Sequence, residues 1–325
     1  MVCRKFVMTP LKIDRRPLKD IFVDLELTCP TKWLNDFFCG KIAKALETLQ
    51  VRAVIHWEFE LDIRVIIPTY NEKDNITELV KQILALPINT QIIVVDDNSP
   101  DGTGQIARQL AAQDSRVGVI HRAGKLGLGT AYIAGFKKGL AEGADRLITM
   151  DADFSHDPAY IPALVTLANY YHITIGSRYI PQGGVVNWEW QRRFLSWGAN
   201  AFARTMLGLK ANDCTAGFRC YHREVLLNID LDKIFSNGYS FLVEMLFKCQ
   251  RQGYQVGEIP ITFANRTHGQ SKISQREIYK AMYTVLRLAG TRLIPQRRIL
   301  VSALPPLPAN SDSSKNLLEK PASHP

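Results

Sequence analysis

From about residue 62, short apolar runs alternate with stretches that have the amphipathic pattern of helices. The apolar runs occupy residues 63–67, 91–95, 117–120, 146–150 and 173–175. The amphipathic stretches lie near residues 74–86, 103–112, 129–142 and 158–169. Because strands that alternate with helices are joined by right-handed crossovers, this order predicts an α/β fold with a mostly parallel central sheet flanked by helices.

Acidic residues directly follow two of these apolar runs. Asp96 and Asp97 follow the second run, and Asp151 and Asp153 follow the fourth. Since the carboxyl ends of parallel strands line one crevice, both pairs are expected in one site. Carboxylate oxygens are the ligands that Mg²⁺ and Mn²⁺ prefer, so the sequence predicts a cation there that holds a diphosphate. A solvated turn is the alternative interpretation of either pair taken alone.

The turns after the first and second runs carry candidate nucleoside contacts. Tyr70 is placed to stack on a base, and Glu72 to accept hydrogen bonds from a base or ribose. Asp97 is a candidate for the same recognition, whereas Ser99 and Asp101 are expected to serve turn geometry and helix capping. Capping of the helix that follows is the alternative use of the first turn.

The glycine-rich segment 124–131 follows a strand and opens a helix, as dinucleotide-binding loops do. It departs from G-x-G-x-x-G at Tyr132, and it does not match a Walker A loop. Loop flexibility is therefore the preferred interpretation, and contact of Lys125 with a phosphate is the alternative.

The composition places the chain among globular proteins of the reducing compartment. With 325 residues and 46% hydrophobic content, it can bury a sizeable core. It has neither an apolar stretch of about 18 residues nor a signal-peptide pattern at its start, which predicts a soluble or peripheral protein. The six cysteines include no C-x-x-C pair, which favours reduced thiols over zinc or disulfides and indicates a cytoplasmic location.

The net charge of +9 is concentrated near the end of the chain. Residues 271–302 carry seven basic side chains and one acidic one. Apolar residues at helical spacing interleave with these charges, which favours a membrane surface over nucleic acid as the partner. A helix packed on the core with a solvated basic face is the alternative.

Three parts of the chain are predicted. Residues 1–61 form an N-terminal extension of unknown role with one amphipathic helix, from Thr31 to about Gln50. Residues 62–294 form the main domain, which includes the basic segment from about residue 271. Residues 295–325 turn to Pro-, Ser- and Asn-containing sequence, which indicates a disordered tail.

Seven ordered motifs between about residues 63 and 290 together resemble one family. They are PTYNE at 68–72, DDNSPDGT at 96–103, KLGLGTAY at 125–132, MDADFSHDP at 150–158, GSRY at 176–179, GFRCY at 217–221 and GQSK at 269–272. This set resembles the polyprenol-phosphate (dolichol-phosphate) mannose synthases, which are inverting family 2 glycosyltransferases. The resemblance implies the Rossmann-like GT-A fold for the main domain.

The resemblance also implies roles for individual positions. The guanosine pocket of the donor would be lined by Pro68, Tyr70, Glu72, Val95 and Asp97. The divalent cation, Mg²⁺ or Mn²⁺, would be held by Asp151 and Asp153, with Ala152 beside the nucleotide sugar and Ser155 a weaker candidate. The donor phosphates would lie near Arg178, Arg266 and Lys272. The acceptor phosphate would be received by Arg178, Arg192 and Ser196. The residues expected to carry catalysis are Asp151, Asp153 and Arg178.

The implied reaction transfers mannose from GDP-mannose to polyprenyl (dolichyl) phosphate, giving polyprenyl-phosphate mannose and GDP. The alternatives are transfer of glucose or another sugar from a UDP donor, and a non-catalytic subunit that binds nucleotide. Nucleic acid is not an expected partner. Some relatives carry C-terminal membrane spans that this sequence lacks, so peripheral attachment at the cytoplasmic face or a separate membrane-anchoring subunit is expected to bring the enzyme to its lipid.

Two positions depart from the family pattern. Trp197 stands where a basic residue is frequent, and Leu242 stands where glutamine is common. Both bear on the identity of the acceptor. Trp197 is expected to contact isoprenoid carbon or the membrane interface.

Overall fold

The computed structural model of the chain describes residues 61–264, 275–292 and 301–307. The predicted N-terminal extension, with its helix from Thr31 to Gln50, lies outside the described residues. So do two of the predicted phosphate contacts, Arg266 and Lys272.

Seven strands form the central sheet of the described chain, in the order β3-β2-β1-β4-β7-β5-β8. The strands are β1 (Ile63–Thr69), β2 (Thr90–Asp96), β3 (Val117–His121), β4 (Arg146–Thr149), β5 (Ile173–Ser177), β6 (Gly184–Val185), β7 (Arg219–His222), β8 (Val256–Pro260) and β9 (Thr262–Phe263). β6 and β9 pair separately as a short parallel ribbon. Only β7 runs antiparallel to its neighbours in the central sheet, so the prediction of a mostly parallel sheet is confirmed.

Helices connect these strands. They are α1 (Lys73–Leu84), α2 (Thr103–Gln113), α3 (Leu128–Ala141), α4 (Ile161–Leu167), α5 (Trp190–Leu207), α6 (Arg223–Asn228), α7 (Tyr239–Gln252) and α8 (Gln275–Thr291). The helix expected near 158–169 starts as a 3₁₀ turn, Pro158–Tyr160, and continues as α4.

The apolar runs became strands because both faces of the sheet are covered. Along β1, Ile66 packs into the core on one face, whereas Val65 and Ile67 pack into the core on the other. β2 repeats the pattern with Ile93 and Val94. Strands buried on both faces read as continuous apolar runs rather than as alternating ones, which is why the sequence reveals them.

The antiparallel strand β7 has no such signature. It inserts between β4 and β5, and it begins with Arg219, whose side chain is fully buried. The guanidinium donates hydrogen bonds to the carbonyl oxygens of Cys214, Ala216 and Leu242 at 2.7 to 2.8 Å. A buried cation is tolerated when its donors are satisfied, but sequence alone does not indicate which arginine will find such partners.

Helix α8 confirms the amphipathic pattern in the basic segment. It packs against α5 and α7. Beyond it, Ser302 contacts the domain through its amide, which donates to Glu224 Oε1 at 3.2 Å, and through its carbonyl, 2.9 Å from His172 Nε2. Among the described helices, none is both long enough and apolar enough to cross a bilayer.

Candidate active site

The carboxyl ends of β1, β2 and β4 lie at one edge of the sheet, and the turn after each contains a left-handed residue. Asn71, Asn98 and Phe154 have φ of 61°, 57° and 57°. Asparagine adopts this conformation readily, but a phenylalanine does so only under strain of about 1–3 kcal/mol. Phe154, the strained residue, directly follows Asp153. Packing around Phe154 offsets the strain, and its left-handed conformation sets the direction of this turn.

Tyr70 and Glu72 lie in the turn after β1. The Tyr70 ring is partly exposed, and the ammonium group of Lys125 lies 4.0 Å from its centroid. The Glu72 carboxylate accepts a hydrogen bond from Asn75 Nδ2 at 2.8 Å, and its amide donates to Thr103 Oγ1 at 2.9 Å. The turn thus holds an aromatic face and a carboxylate side by side, the two features predicted for a nucleoside contact.

Asp97, after β2, is a buried carboxylate with an incomplete hydrogen-bond set. Its Oδ2 accepts the amide of Leu126 at 3.2 Å. Its Oδ1 lies 2.9 Å from the guanidinium of Arg122 but in an orientation that does not form a hydrogen bond, so this buried oxygen has no donor among the described residues. Burial raises the pKa of Asp97, against the opposing charge of Arg122. Such an acceptor suits the N–H groups of a base or the hydroxyl of a ribose.

The neighbouring polar residues build the turn itself. Ser99 Oγ donates to Asp96 Oδ1 at 2.5 Å, and Asp101 Oδ1 accepts from Thr103 Oγ1 at 2.6 Å. These contacts confirm the expected structural use of Ser99 and Asp101.

The glycine-rich segment is held in place rather than left loose. Gly127 has φ of 101°, and a Cβ there would lie 2.4 Å from the Asn237 side chain. Asn237 donates to the carbonyl of Leu126 at 3.1 Å and accepts the amide of Gly129 at 3.2 Å. Glycine is required here for a positive φ and a close approach, so the preferred interpretation of loop flexibility does not describe this segment.

Asp151 and Asp153 follow β4 and are held by different contacts. The hydroxyl of the fully buried Tyr132 donates to Asp151 Oδ1 at 3.0 Å. Asp153 Oδ1 accepts the Ser155 amide at 3.0 Å and the Ser155 hydroxyl at 2.5 Å. Ser155 therefore serves here as a hydrogen-bond partner of Asp153.

His156 completes this turn as a neutral ring. Its Nδ1 accepts the Asp151 amide at 3.3 Å, and the ring stacks on Phe218 with centroids 5.1 Å apart. Burial lowers the pKa of His156.

The donor set fits a hard divalent cation that is also bound by substrate. Two carboxylates line one cavity, and the described residues contain no cluster of three or more His, Cys, Asp or Glu side chains able to hold a metal. Mg²⁺ is commonly held by one or two carboxylates together with substrate phosphates rather than by an all-protein cage. Asp151 and Asp153 would supply the protein ligands in such a site.

The cavity at this edge has a volume of about 490 Å³, including space open to solvent. Its lining joins the predicted metal ligands to the predicted acceptor residues. It includes Asp151, Asp153, Ser155, His156, Arg178, Arg192, Thr215, Gly217, Leu242 and Phe263.

Arg178 faces this cavity but is tied to the protein. Its Nε and Nη2 donate to the two carboxylate oxygens of Asp213 at 2.7 and 2.8 Å, and Nη2 also donates to Thr215 Oγ1 at 2.7 Å. The rings of Trp188 and Phe263 flank the guanidinium. Desolvation opposes both charges, but the Asp213 carboxylate raises the pKa of Arg178 and the Arg178 guanidinium lowers the pKa of Asp213. The Arg178 guanidinium is thus fixed in an orientation from which it can donate hydrogen bonds to a phosphate, and Asp213 balances the charge of Arg178.

Arg192 and Ser196 lie one helical turn apart on α5. The Arg192 guanidinium stacks 4.1 Å from the centroid of Trp188, and Ser196 Oγ lies 2.8 Å from the Tyr179 hydroxyl. Arg178, Arg192 and Trp188 therefore form one cation and aromatic cluster beside the two aspartates. Their assigned roles in acceptor binding stay predictions.

The remaining predicted positions contribute differently. Val95 is fully buried, with its side chain in the core, so only its backbone is available to a donor. Pro68 pairs with it in the sheet register, and Ala152 is buried between the two aspartates. Leu242 lines the cavity, whereas Trp197 is exposed and packs near Phe194. Of the two residues that depart from the family pattern, only Leu242 thus lines the cavity.

Sequence reasoning missed four residues that shape the site: Arg122, Tyr132, Asp213 and Thr215. Arg122 had a signal, because it follows the apolar run of β3 just as the acidic residues follow theirs. Tyr132 was seen only as a departure from a glycine motif. Asp213 pairs with an arginine 35 positions away, and nothing local marks that pairing.

Comparison with known proteins places this geometry in a family. Residues 64–229 match the model of glycosyl transferase family 2. The chain is 44% identical over 225 residues to undecaprenyl-phosphate mannosyltransferase of Micrococcus luteus, covering 69% of this chain and 93% of that protein. It is 46% identical over 223 residues to polyprenol monophosphomannose synthase of Mycolicibacterium smegmatis, covering 68% and 84%.

Solved structures support the fold. Glucosyl-3-phosphoglycerate synthase of Mycobacterium tuberculosis, in complex with Mn²⁺, UDP and phosphoglyceric acid, aligns with a TM-score of 0.52 at 19% identity, over 73% of this chain and 80% of that one. Mannosyl-3-phosphoglycerate synthase of Rubrobacter xylanophilus aligns at 0.51 and 18%, over 72% and 74%. These similarities confirm the GT-A architecture. The chain belongs to glycosyl transferase family 2, and it is a glycosyltransferase.

Proposed function

We propose that this glycosyltransferase moves mannose from GDP-mannose to a polyprenyl phosphate, with release of GDP. The observation that carries the proposal is the single cavity that joins Asp151 and Asp153 to Arg178 and Arg192. It suits a reaction between a diphosphate donor and an anionic acceptor. The names of the two relatives at 44 and 46% identity support mannose as the sugar and a polyprenyl phosphate as the acceptor.

The proposed chemistry is a single inverting displacement. An oxygen of the acceptor phosphate attacks the anomeric carbon of mannose, and the bond from that carbon to the diphosphate breaks as GDP leaves. The divalent cation, Mg²⁺ or Mn²⁺, supplies charge stabilisation to the departing diphosphate. A phosphate monoester has its second pKa near 6 and is largely dianionic at neutral pH, so no general base is assigned.

The two arginines would let two anions approach one another. Because Asp213 balances the charge of Arg178, that guanidinium orients a phosphate through fixed N–H directions. Arg192 stacks on Trp188 at the cavity wall and would supply cationic charge to the acceptor. Tyr70, Glu72 and Asp97 would bind the guanosine, with Pro68, Val95 and Ala152 contributing mainly backbone.

We further propose that α5 and α8 meet the membrane surface. On α5, Trp190, Phe194 and Trp197 recur at helical spacing and are 57 to 74% exposed. On α8, Tyr279, Met282, Tyr283 and Leu286 form a second exposed stripe. The basic residues Lys280 and Arg287 of α8, and Arg292 directly after it, are also exposed. Aromatic stripes with adjacent basic residues suit the interface of an anionic membrane, and here one of them adjoins the acceptor residues.

The cytoplasmic membrane face, a separate anchoring subunit and the limits of the domain stay proposals. We infer a catalytic domain over residues 62–294, preceded by an extension of unknown role at 1–61. The tail predicted at 295–325 is not disordered throughout, because Ser302 is hydrogen-bonded to Glu224 and lies 2.9 Å from His172. Arg266 and Lys272 are proposed as further donor-phosphate contacts on the strength of the family resemblance alone.

The test is a donor panel with radiolabelled sugars, a short polyprenyl phosphate, and Mn²⁺ or Mg²⁺. Labelled lipid is expected with GDP-mannose and only at background with UDP-glucose. Lipid labelled only from a UDP-sugar would overturn the mannose assignment in favour of the alternative donor. Nucleotide binding without transfer from any donor would indicate the non-catalytic subunit instead.

A further inference from the structure

The loop 212–217, which leads into β7, shapes one wall of the cavity. It presents Asp213 to Arg178, and Thr215 and Gly217 line the cavity directly. Side chains from separate strands hold its backbone. Glu258 of β8 accepts the amides of Asn212 and Asp213 at 2.7 and 2.9 Å. Thr149 of β4 donates to the Gly217 carbonyl at 2.6 Å, and Arg219 holds two further carbonyls.

One of the side chains that hold this loop comes from a helix and not from the sheet. Asn200 of α5 donates through Nδ2 to the carbonyl of Asn212 at 2.6 Å. Its Oδ1 accepts the amide of Cys214 at 2.9 Å. The side chain is buried, so both hydrogen bonds are shielded from water. Asn200 therefore holds the residues on either side of Asp213, whose carboxylate fixes Arg178.

Asn200 also shares a helical face with the proposed acceptor residues. Arg192, Ser196 and Asn200 follow one another at intervals of four, which places them on one side of α5. Ser196 in turn contacts the hydroxyl of Tyr179, the residue next to Arg178. Two polar links thus join α5 to the neighbourhood of Arg178.

We propose that Asn200 is a positioning residue that sets the acceptor residues of α5 at a fixed distance from Arg178. The inference rests on the proposed function, because it assigns α5 to the acceptor. Loss of the asparagine leaves Glu258, Arg219 and Thr149 to hold the loop, but releases it from α5. A misplacement of about 1 Å between reacting groups costs on the order of 100-fold in rate. The expected defect therefore concerns transfer to lipid and not donor binding.

The experiment compares Asn200→Ala with wild type in the full chain. We expect kcat/KM for the polyprenyl phosphate to fall about 10- to 100-fold. The Kd of GDP measured with Mn²⁺ should stay within about twofold, since a positioning defect leaves the nucleoside pocket intact. Amide exchange over residues 212–217 should become faster. Thr205→Ala, an exposed change on the same helix, is the matched control and should match wild type.

A double-mutant cycle separates positioning from general loss of structure. The effects of Asn200→Ala and Arg192→Ala on transfer should be less than multiplicative, because both act on the acceptor. Those of Asn200→Ala and Tyr70→Ala should multiply, since distant independent sites are additive in free energy. If Asn200→Ala does not fold, Asn200→Ser retains one hydrogen-bonding group and is measured in the same way.

Unchanged acceptor kcat/KM in the variant would overturn the inference, and so would an equal loss of donor and acceptor affinity. These results differ from a failure of the proposed function, which the wild-type protein reveals in the donor panel. In that event kcat/KM of the variant and of wild type is measured with whichever acceptor the wild type uses. A ratio of the two values near one again rejects the role of Asn200.

Discussion

The two halves of the cavity are built by different means. On the donor side, Tyr70, Glu72, Asp97 and the two aspartates follow strands β1, β2 and β4 directly. The acidic residues there are held by the helix residues Thr103 and Tyr132 and by the turn residues Leu126 and Ser155. On the acceptor side, Arg178 depends on Asp213, 35 positions away, and on aromatic rings from other segments. Arg178 also follows a strand directly, β5, so the halves differ in what holds the side chains, and the acceptor half depends on a buried ion pair. Substitutions in the acceptor half should consequently lower activity and stability together.

The largest expected effect is on the donor side. Asp153→Asn should reduce Mn²⁺-dependent transfer by at least about 10³-fold, because it removes a carboxylate from the proposed metal site. The amide still offers an oxygen to Ser155, so circular dichroism and the melting temperature should change little. Asp157→Asn, an exposed change in the same turn, is the control. Transfer at the wild-type rate in Asp153→Asn would remove the metal role from this residue.

On the acceptor side, an arginine substitution should cost stability as well as activity. Arg178→Met leaves Asp213 buried without its partner, which is expected to lower the free energy of unfolding by about 3–5 kcal/mol. Arg192→Met removes a partly exposed cation and should lower it by about 1 kcal/mol or less. Urea unfolding of both variants, beside their transfer rates, measures the contrast. Equal losses of stability would show that the two halves do not differ in this way.

A smaller effect is expected at the exposed face of α5. Replacing Phe194 and Trp197 together by Ser should weaken binding to vesicles with anionic lipid by about 100-fold, since each buried aromatic contributes about 1.5–3 kcal/mol. GDP binding should be unaffected, because these rings do not line the cavity. Flotation at two salt concentrations measures the loss, with Thr205→Ala as control. Identical flotation of variant and wild type would argue against α5 as a membrane contact.

The smallest effect concerns acid sensitivity outside both halves, at His222, which lies at the end of β7 away from the cavity. Burial lowers the pKa of His222 to about 3, with Arg146 and His172 adding to the shift. The unfolded chain binds this proton near pH 6.5, so below that pH the folded state loses about 1.4 kcal/mol of stability per pH unit, down to about pH 3. His222→Asn removes this titrating group, so the free energy of unfolding of the variant should fall less steeply as the pH is lowered. Urea unfolding between pH 7 and 5 tests it, and parallel curves for both proteins would contradict it.

Much of the donor half could be predicted from the sequence. Strands buried on both faces appear as apolar runs, and side chains that follow those runs must meet at one edge of a parallel sheet. That reasoning placed Asp97, Asp151 and Asp153 at one edge of the sheet, and the structure has them there, after strands β2 and β4 on either side of β1. The family resemblance added named roles, which the geometry alone leaves as proposals.

Only the tertiary structure revealed the acceptor half. Arg178 was predicted to face phosphate, but its bidentate pairing with Asp213, the antiparallel insertion of β7 and the link from Asn200 to the 212–217 loop all depend on contacts distant in sequence. The sequence by itself determined the parallel sheet and the acidic edge, because the periodicity of burial and the ends of strands are local properties. It did not determine which buried polar groups pair, because pairing depends on where the packed chain brings them together.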